Sequence, residues 1–537
     1  MTLQRAVRAV GDTALLAAAD GPRRARALAR AVVAAGWAEE VVIGLRSVLV
    51  IFDPAVVPIA EAASRLADLA PVDDPVRPPR EVRVPVAFDG PDIEEVCRLA
   101  GVGPDDLPGL LAEAVLEVAV VGFSPGFPYL AGLPEVLRRI PRRDRPRASV
   151  PAGSVAVAGG FAGIYPQSTP AGWRLVGRTG LALFDPDVPP YALLRPGDRV
   201  RFEPAAVPAP QAAPATRRPF VPPPGTGVVL AVEHPGLLTL VQDGGRRGLA
   251  HAGVPGAGPA DPLAHELANR LVGNHPDAAA LEVTASGPVL RCTAPGYLAV
   301  VGGCPDVVVD GHPVGSGHVV PVAVGQRVAV GTVGDGLRSY LAWPGGLVVP
   351  TVAGSRSTDL LSGLGPGPLV AGDRLGAGPR TGTLRDHLAG PPPGDRIRLR
   401  VLPGPHPDWF PADVLPGLAA QPLAVDPSSD RVGLRLTPAR RVPRATGELD
   451  SQGMVTGAVQ VPPDGHPVVL GPDHATLGGY PVVAVVIAAD RWKLGQCRPG
   501  DRVWLVPVSF DEAADALAAT RRLLHTAAVG RYPVVAG

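Results

Sequence analysis

The sequence carries one hexapeptide twice, some three hundred residues apart, and each copy closes a Val- and Gly-rich segment. Arg195-Pro-Gly-Asp-Arg-Val200 ends the segment that begins at Ser149, and Arg498-Pro-Gly-Asp-Arg-Val503 ends the one that begins at Gly457. Repeat architectures such as solenoids need at least three copies to bury a continuous core. Two copies therefore predict two related β domains within one chain.

Length and composition set the number and class of the domains. A chain of 537 residues exceeds one hydrophobic core and is expected to form roughly three or four domains. A hydrophobic fraction of 46%, in short Val-rich runs, favours barrels or sandwiches with few helices. The predicted units are an α/β domain (1–88), a β-barrel (89–203), a Pro- and Ala-rich linker (204–227), a β domain (228–390), a second barrel domain (391–508), and a helix with a tail (509–537).

The N-terminal residues alternate strand-like and helix-like segments. Their order, β-α-β-β-α-β, is typical of the split βαβ, or ferredoxin-like, arrangement. The predicted strands lie within residues 8–17, where a turn at Gly11-Asp12 interrupts the strand, within 41–52, as two strands, and within 81–88. The predicted helices span 22–35 and 58–69. Two later helices are predicted over 260–271 and 511–527, the last with Ser509 and Glu512 as a capping box.

Composition also excludes several partners and chemistries. The formal net charge is zero, so neither nucleic acid nor an acidic membrane is an expected partner. Four widely spaced cysteines and the lack of a long apolar run or signal-like N-terminus predict a soluble, cytoplasmic protein. Metal-binding motifs and G-x-S-x-G are absent, and Lys493 is the single lysine, which excludes a lysine-containing phosphate loop.

Polar and aromatic side chains gather in a few Gly-rich loops. Phe123, Phe127 and Tyr129 occupy a loop that either packs on itself or lines a pocket. Gln242 and Asp243 lie at the end of a predicted apolar strand. A further loop either holds an anion or forms a capped turn. It contains Ser355, Arg356, Ser357 and Asp359.

The remaining candidates are weaker. Asp430, Arg431 and Glu448 are candidate functional residues. The alternative interpretation is that they form a solvated ion pair on the surface. The repeated segments contain glycines beside hydroxyl-bearing residues, and glycine allows backbone N–H groups to approach a ligand and stabilise an oxyanion. Tight turns explain the same glycines equally well. These residues are Gly153, Ser154, Thr476, Gly478, Gly479 and Tyr480.

Longer motifs resemble two known families. Gly122-Phe-Ser-Pro-Gly-Phe-Pro-Tyr-Leu-Ala-Gly-Leu-Pro134 and Gly163-Ile-Tyr-Pro166 are similar to the B subunit of bacterial ATP-dependent 5-oxoprolinase, the KipI-like family (the first subunit of allophanate hydrolase). Gly354-Ser-Arg-Ser-Thr-Asp359 and Gly457-Ala-Val-Gln-Val-Pro-Pro463 resemble the C subunit, the KipA-like family related to the carboxyltransferase part of urea carboxylase. The chain is thus identified as a fused B–C member.

The resemblance implies both a fold and a reaction. The implied fold is α+β, mainly β, with a ferredoxin-like N-terminal domain followed by cyclophilin-like β-barrels that are duplicated in the C-terminal half. The implied reaction is ATP-driven opening of 5-oxo-L-proline to L-glutamate, with Mg²⁺ as the counterion of ATP. The separate A subunit of 5-oxoprolinase (LamB/YcsF-like) is the implied partner, no biotin is expected on this chain, and a homo-oligomer is left open.

On this resemblance we assign roles to the candidate residues. The catalytic set is Gln242, Asp243, Arg356 and Asp359. The substrate- or nucleotide-binding set is Phe123, Phe127, Tyr129, Gly153, Ser154, Tyr165, Ser355, Ser357, Asp430, Arg431, Gln460, Thr476, Gly478, Gly479 and Tyr480. The sequence departs from the family at Gly159-Gly-Phe-Ala-Gly163, usually Gly-Gly-Gln-Thr-Gly, and at Gly302-Gly-Cys304, usually Gly-Ala-Asp. It also departs at Pro170-Ala-Gly-Trp173, usually Pro-Gly-Gly-Trp, and at Leu110-Leu-Ala-Glu-Ala-Val115, which lacks the usual His. These departures fall at expected pocket positions and leave full activity and the substrate open.

Two other functions fit the same families. KipI-like proteins are also described as inhibitors of sensor histidine kinases that KipA-like proteins antagonise, although fusing the two halves argues against mutual antagonism. A carboxyltransferase role in a urea carboxylase or allophanate hydrolase system is the other alternative, and it requires a biotinylated partner chain.

Overall fold

The computed structural model describes residues 6–72, 79–206, 220–385, 397–447 and 449–525. Most of the predicted linker, Glu448 and the end of the predicted C-terminal helix lie outside these residues. The described part forms an N-terminal sheet, a first barrel, a two-sheet sandwich and a second barrel, in that order along the chain. None of its helices is both long and apolar enough to cross a lipid bilayer.

The N-terminal sheet is antiparallel, with the strand order β1-β2-β4-β3. Its elements are β1 (Val7–Ala9), β2 (Ala14–Ala18), α1 (Pro22–Ala35), β3 (Glu40–Ile43), β4 (Ser47–Ile51) and α2 (Ile59–Asp68). The ferredoxin-like prediction is not met. The predicted first strand is a hairpin that turns at Gly11 (φ +71°), and the predicted last strand pairs in the first barrel instead.

The first barrel contains seven strands in the order β12-β9-β10-β7-β6-β13-β5. Its strands are β5 (Glu81–Val86), β6 (Leu116–Val121), β7 (Pro128–Ala131), β8 (Arg147–Val150), β9 (Ser154–Ala158), β10 (Phe161–Ile164), β11 (Thr169–Ala171), β12 (Arg174–Arg178) and β13 (Arg199–Pro204). Its helices are α3 (Ile93–Ala100), α4 (Asp106–Glu113) and α5 (Glu135–Arg138). Two backbone hydrogen bonds of 2.9 Å between Ala87 and Arg178 join its outer strands, and β8 and β11 form a separate ribbon.

The sandwich packs a seven-stranded sheet, β20-β19-β22-β17-β14-β25-β24, against a five-stranded sheet, β15-β16-β23-β18-β21. Its strands are β14 (Val228–His234), β15 (Leu238–Gln242), β16 (Ala280–Thr284), β17 (Val289–Cys292), β18 (Gly296–Val301), β19 (Pro305–Val309), β20 (His312–Pro313), β21 (Val319–Val322), β22 (Arg327–Val333), β23 (Arg338–Ala342), β24 (Leu347–Val348) and β25 (Arg374–Ala377). Helix α6 (Pro262–Leu271) matches the predicted helix, because Asp261 accepts the N–H of Ala264 at 2.8 Å and Pro262 opens the first turn.

The second barrel is closed, with the strand order β26-β33-β30-β31-β28-β27-β34. Its strands are β26 (Arg398–Pro403), β27 (Leu423–Val425), β28 (Gly433–Thr437), β29 (Gln452–Gly453), β30 (Ala458–Gln460), β31 (Val468–Leu470), β32 (Leu477–Gly478), β33 (Val482–Val486) and β34 (Arg502–Pro507). Its helices are α7 (Val414–Ala419), α8 (Arg491–Leu494) and α9 (Phe510–His525). The capping box of α9 is confirmed by reciprocal hydrogen bonds of 2.7 and 3.2 Å between Ser509 and Glu512.

The two barrels share one topology. When each barrel's seven strands are numbered along the chain, both have the circular order 1-6-4-5-3-2-7, with parallel first and last strands. In both, a two-stranded ribbon is formed by the segments between strands 3 and 4 and between strands 5 and 6. The predicted internal duplication is therefore present in the fold.

The repeated hexapeptide forms the same turn in both barrels, just before the last strand. The carboxylate of Asp198 accepts the N–H of Arg195 at 2.9 Å, and Asp501 accepts the N–H of Arg498 at 2.8 Å. The intervening Gly197 and Gly500 have φ values of +97° and +87°. A side-chain acceptor at one position and a left-handed glycine before it explain why this sequence is repeated.

One hydrophobic cluster joins all four units. It contains Leu49 from the N-terminal sheet, Phe127 and Trp173 from the first barrel, Ala250 from the sandwich, and Leu477 and Val485 from the second barrel. Glycines allow the close approach. A Cβ atom at Gly453 would lie 2.6 Å from Cβ of Leu49. The barrels therefore pack against the N-terminal sheet and against each other.

Candidate functional site

A cleft with a volume of about 650 Å³ lies between the two barrels. One wall comes from the first barrel and its ribbon, and includes Phe123, Tyr129 and Trp173. The opposite wall comes from the second barrel and includes Arg444 and Tyr480. Neither half of the chain forms this cleft alone.

Aromatic rings packed edge to face form the floor of the cleft. The ring of Phe127 is the centre, with its centroid 5.5 Å from that of Phe123, 5.3 Å from Tyr129, 5.0 Å from Tyr165 and 5.5 Å from Trp173. Such contacts add to the stabilisation that burial of the rings provides. The loop thus both packs on itself and lines a pocket, the two readings that the sequence left open.

Backbone constraints hold this floor in place. Phe123 has a φ of +70°, which is rare for a residue other than glycine and occurs here at the cleft wall. A Cβ atom at Gly163 would lie 2.7 Å from Cζ of Phe127 and 2.9 Å from Cζ3 of Trp173. Glycine is therefore required at position 163 for the aromatic rings to meet.

Arginine side chains supply positive charge along the cleft. Arg142 and Arg143 lie on the first-barrel side and Arg444 on the opposite side. Arg143 donates to Asp92 at 3.0 Å, and its buried Nε has no hydrogen-bond partner among the described residues. Arg444 stacks over Trp409 at 5.4 Å. Such a planar donor set suits a carboxylate or a phosphate.

Two tyrosines of the cleft and one aspartate next to it have shifted pKa values. Burial raises the pKa of Tyr129 and of Tyr165, so both phenols are neutral at physiological pH. Asp92, which lies behind the cleft, also receives the side chain of Arg147 at 2.7 Å and the N–H of Leu175 at 2.7 Å. These bonds hold its pKa below the usual value despite burial, so the carboxylate fixes the arginines in place.

The remaining predicted residues of the repeated segments take different positions. Gly479 and Tyr480 line the cleft, whereas Gln460 and Gly478 do not. Gly478 packs against Gln460, because a Cβ atom there would lie 2.7 Å from Nε2 of Gln460. Gly153 and Ser154 do not form an oxyanion site. The N–H of Gly153 donates to the carbonyl of Tyr165 at 2.7 Å, and that of Ser154 donates to Pro151 at 3.3 Å.

The predicted catalytic loop is a hydrogen-bonded network inside the sandwich. The carboxylate of Asp243 accepts the hydroxyls of Ser355 at 2.5 Å and Ser357 at 2.7 Å, and the backbone N–H of Arg356 at 2.6 Å. Gln242 donates to the carbonyl of Thr358 at 2.8 Å. Asp359 accepts the N–H of Leu361 and the hydroxyl of Ser362. These contacts favour the capped turn over an anion-binding loop.

Arg431 is at the centre of a buried charge cluster between the sandwich and the second barrel. It forms a bidentate pair with Asp473 at 2.8 and 2.9 Å, and a second pair with Glu282 at 2.6 Å. The expected alternative of a solvated ion pair is wrong here, because Arg431 is only 3% exposed. Asp430 accepts the N–H groups of Val432 and Gly433 in a turn at the edge of a neighbouring cavity of about 220 Å³.

Comparisons with known proteins match the two halves separately. The family described as "Carboxyltransferase domain, subdomain C and D" matches residues 5–194, and "Carboxyltransferase domain, subdomain A and B" matches residues 252–507. The C subunit of 5-oxoprolinase from Escherichia coli K12 is 37% identical over 295 residues, which cover 54% of this chain and 94% of that protein. The B subunit from Bacillus subtilis is 42% identical over 145 residues, 26% of this chain and 59% of that protein.

The chain belongs to the family of 5-oxoprolinase B and C subunits, fused in one polypeptide. A solved structure also spans both halves: the crystal structure of TTHA0988 is 36% identical, with a TM-score of 0.82, and covers 94% of this chain and all of that one. The mainly β architecture with few helices agrees with this match.

Of the departures from the 5-oxoprolinase family pattern, Ala171 lines the inter-barrel cleft, whereas Phe161 and Cys304 do not. Phe161 lies at the start of β10, with its ring 5.9 Å from that of Tyr129, and borders a separate, shallower depression with Asp20 and Arg46. Cys304 is exposed and has a φ of +46°. Neither residue is among those that line the inter-barrel cleft.

Reasoning from the sequence missed the arginines of the cleft. Six arginines fall between residues 138 and 147, and this run was the available signal. Trp173 and Asp473 lie in the two repeated segments, but no role was predicted for them. Among the described residues, no group of three or more His, Cys, Asp or Glu side chains is placed to hold a metal ion.

Proposed function

We propose that this chain is the B–C component of an ATP-dependent 5-oxoprolinase and that the inter-barrel cleft binds 5-oxo-L-proline. One observation carries the proposal. The cleft needs a wall from each half of the chain, and the relatives of the two halves are named as two subunits of the same enzyme. A fused chain keeps both walls together in one molecule.

The chemistry follows from the substrate. A lactam carbonyl is a poor electrophile, so its oxygen attacks the γ-phosphorus of ATP, ADP leaves, and a phosphorylated imidate forms. Water adds to that carbon, and the ring C–N bond breaks to release the amine and leave an acyl phosphate. A second water hydrolyses the acyl phosphate to the carboxylate of L-glutamate and inorganic phosphate. Positioning of two anionic reactants dominates such phosphoryl transfer. We propose that Mg²⁺ accompanies ATP and that a separate A subunit completes the reaction.

The cleft residues fit the two ends of 5-oxoproline. The guanidinium groups of Arg142 and Arg143 suit its carboxylate. The rings of Phe127, Tyr165 and Trp173 offer apolar faces to the methylene groups of the five-membered ring. In this proposal Gln242, Asp243, Arg356 and Asp359 support the fold of the sandwich, and their catalytic role stays a prediction from the sequence.

The decisive experiment reconstitutes the reaction. The purified chain is mixed with the cognate A subunit, ATP, Mg²⁺ and 5-oxo-L-proline, and glutamate and ADP are measured together. We expect both products in equal amounts only when both proteins are present. Release of ADP without glutamate, or of neither, would rule out the proposed activity.

A variant of the cleft tests where the substrate binds. We expect Arg142→Gln to raise KM for 5-oxoproline about tenfold or more, because a charge-assisted hydrogen bond is lost, with a smaller change in kcat. Arg145→Gln is the matched control, since Arg145 is exposed nearby and does not line the cleft. Equal KM values for the two variants would place the substrate elsewhere.

Carboxyl transfer is the second candidate function, because both matched families are described as carboxyltransferase domains. It requires a biotinylated partner, since Lys493 is buried and donates to the carbonyl of Arg398 at 2.9 Å. Capture on avidin of a biotinylated protein together with this chain, and transfer of labelled carboxylate, would favour this candidate over 5-oxoproline hydrolysis.

A further inference from the structure

A second cavity lies where the N-terminal sheet, the sandwich and the second barrel meet. Its volume is about 160 Å³, room for roughly five water molecules. Thr13 and Val42 line it from the N-terminal sheet, Pro255 from the sandwich, and Thr476 and Arg491 from the second barrel. None of its lining residues lines the inter-barrel cleft.

Two polar atoms in the wall of this cavity lack a partner within the described residues. Thr476 is 4% exposed, and its Oγ1 has no hydrogen-bond partner. The Nε of Arg491 is likewise buried and without one. Buried hydroxyls and guanidinium N–H groups are nearly always satisfied in proteins, so two such atoms around one cavity suit a polar ligand.

The guanidinium of Arg491 is only partly compensated by the acidic groups around it. It donates to the hydroxyl oxygen of Thr13 at 2.6 Å. Burial lowers the pKa of Arg491, and the charge of Asp12 opposes this from a distance. The two oxygens of Asp12 accept the N–H of Ala488 at 3.0 and 3.1 Å. An arginine stays charged at physiological pH, and this one faces the cavity.

The overall charge of the wall favours a monoanion. Glu40 also lines the cavity, but its two oxygens accept the backbone N–H groups of Gly248 and Ala250, at 3.1 and 2.8 Å. A cation that shares its cavity with a carboxylate suits a single negative charge better than two.

The rest of the wall is apolar. Val42, Ile51, Met454 and Val455 line the same space. A ligand that fits must therefore present an anionic head to Arg491 and a short hydrocarbon part to these side chains.

We propose that this junction cavity is a binding site for a short-chain carboxylate, with Arg491 and Thr476 holding the carboxylate group and Val42, Ile51 and Met454 packing against the alkyl chain. The site is separate from the inter-barrel cleft, and it does not rest on the proposed 5-oxoprolinase activity. Thr476 was expected to contact substrate; in this assignment it contacts a different ligand at a different place.

Thermal unfolding of the full chain with sodium butyrate tests the proposal, with sodium chloride at the same ionic strength as the reference. We expect a saturable rise in Tm of about 2–4 °C once butyrate exceeds its Kd about tenfold. Isothermal titration should give one site per chain. The absence of a saturable rise, or a rise of the same size with chloride, would overturn the proposal.

Two variants and a control locate the site. Arg491→Gln should abolish the butyrate-dependent rise, and Thr476→Val should reduce it. Because the Thr476 hydroxyl is unsatisfied without ligand, Thr476→Val should also leave the Tm of the ligand-free protein unchanged or higher, which shows that the variant folds. Arg502→Gln is the matched control, since Arg502 is exposed and does not line the cavity. A full butyrate response in Thr476→Val and Arg491→Gln would contradict the assignment.

Inorganic phosphate distinguishes the class of anion. A dianion should bind more weakly than butyrate, because Glu40 lines the same cavity and no alkyl chain fills the apolar part. Tighter binding of phosphate than of butyrate, lost in Arg491→Gln, would overturn the carboxylate assignment.

Discussion

His406 is a buried histidine whose surroundings require the neutral ring. It is 5% exposed, and its Nδ1 accepts the N–H of Val482 at 2.9 Å, which a protonated Nδ1 cannot do. Burial lowers the pKa of His406 to about 4, against about 6.5 in an unfolded chain. Between these values the unfolded state binds more protons, so stability is lost as pH falls from about 6.5 to about 4.

We expect His406→Asn to flatten this pH dependence. The amide oxygen of asparagine can accept the same N–H but does not titrate. The loss of unfolding free energy between pH 6.5 and pH 4 should be smaller than in the wild type by about 3 kcal/mol. Urea unfolding at several pH values measures it, with His251→Asn, at an exposed position, as the control. Parallel pH profiles of wild type and His406→Asn would contradict the expectation.

Asp243 tests whether the sandwich loop supports the fold or the chemistry. In Asp243→Asn, an amide N–H₂ faces the donors of Ser355, Arg356 or Ser357, so we expect a loss of about 1–3 kcal/mol of unfolding free energy. Asp277→Asn is the control, because Asp277 is half exposed in a long 3.5 Å pair with Arg247. An unchanged urea midpoint together with lost activity would instead support the catalytic assignment made from the sequence.

At the scale of elements, closure of the first barrel depends on a glycine. The bridge between Ala87 and Arg178 joins the outer strands, and a Cβ atom at the adjacent Gly177 would lie 2.5 Å from the carbonyl oxygen of Ala87. No real Cβ contact is that short. A side chain at position 177 must therefore move one of the two strands.

Gly177→Ala should destabilise the protein by about 1–3 kcal/mol, as overpacking generally does. Gly417→Ala should do the opposite and stabilise by up to about 1 kcal/mol, because Gly417 is inside α7 with open space around it. Denaturant midpoints of both variants measure the difference. Equal denaturant midpoints for the two variants would mean that closure of the first barrel does not depend on the bridge between Ala87 and Arg178.

Local sequence signals predicted turns and secondary-structure elements well, but they predicted less well which strands pair with each other. The hexapeptide at Arg195 and Arg498 fixed two equivalent turns because its glycine and aspartate act within four residues. The partner of β5 could not be predicted, because Glu81 pairs with Arg199, which is remote in sequence. For the site, a loop rich in aromatic residues was informative, whereas Arg142 and Arg143 were hidden by the high arginine content of the whole chain.

Over the whole molecule, contacts between units are numerous and specific. The N–H of Leu45 donates to the carbonyl of Ser451 at 2.9 Å, and the N–H of Gly126 donates to Ala252 at 2.9 Å. The N–H of Ala488 donates to the carboxylate of Asp12 at 3.0 Å. Together with the shared hydrophobic cluster, these bonds connect the two halves without the segment between them.

We expect the halves to stay together when the chain is cut. A protease site inserted within residues 207–219 should yield two fragments that elute as one species in size-exclusion chromatography at micromolar concentration, because the shared apolar cluster stays buried. Gly453→Val should weaken the complex, since its side chain would collide with Leu49. Separation of the wild-type fragments would show that the covalent connection, rather than the packing, holds the cleft together.

The parallel pairing of the first and last strands gives each barrel a direction. Glu81 lies beside Arg199 and Val86 beside Pro204, so the chain enters the first barrel at one rim and leaves at the other, roughly 20 Å away for six strand residues. The second barrel repeats this path. Because the chain enters and leaves each barrel at opposite rims, duplicated barrels can follow one another in the chain without a long return connection.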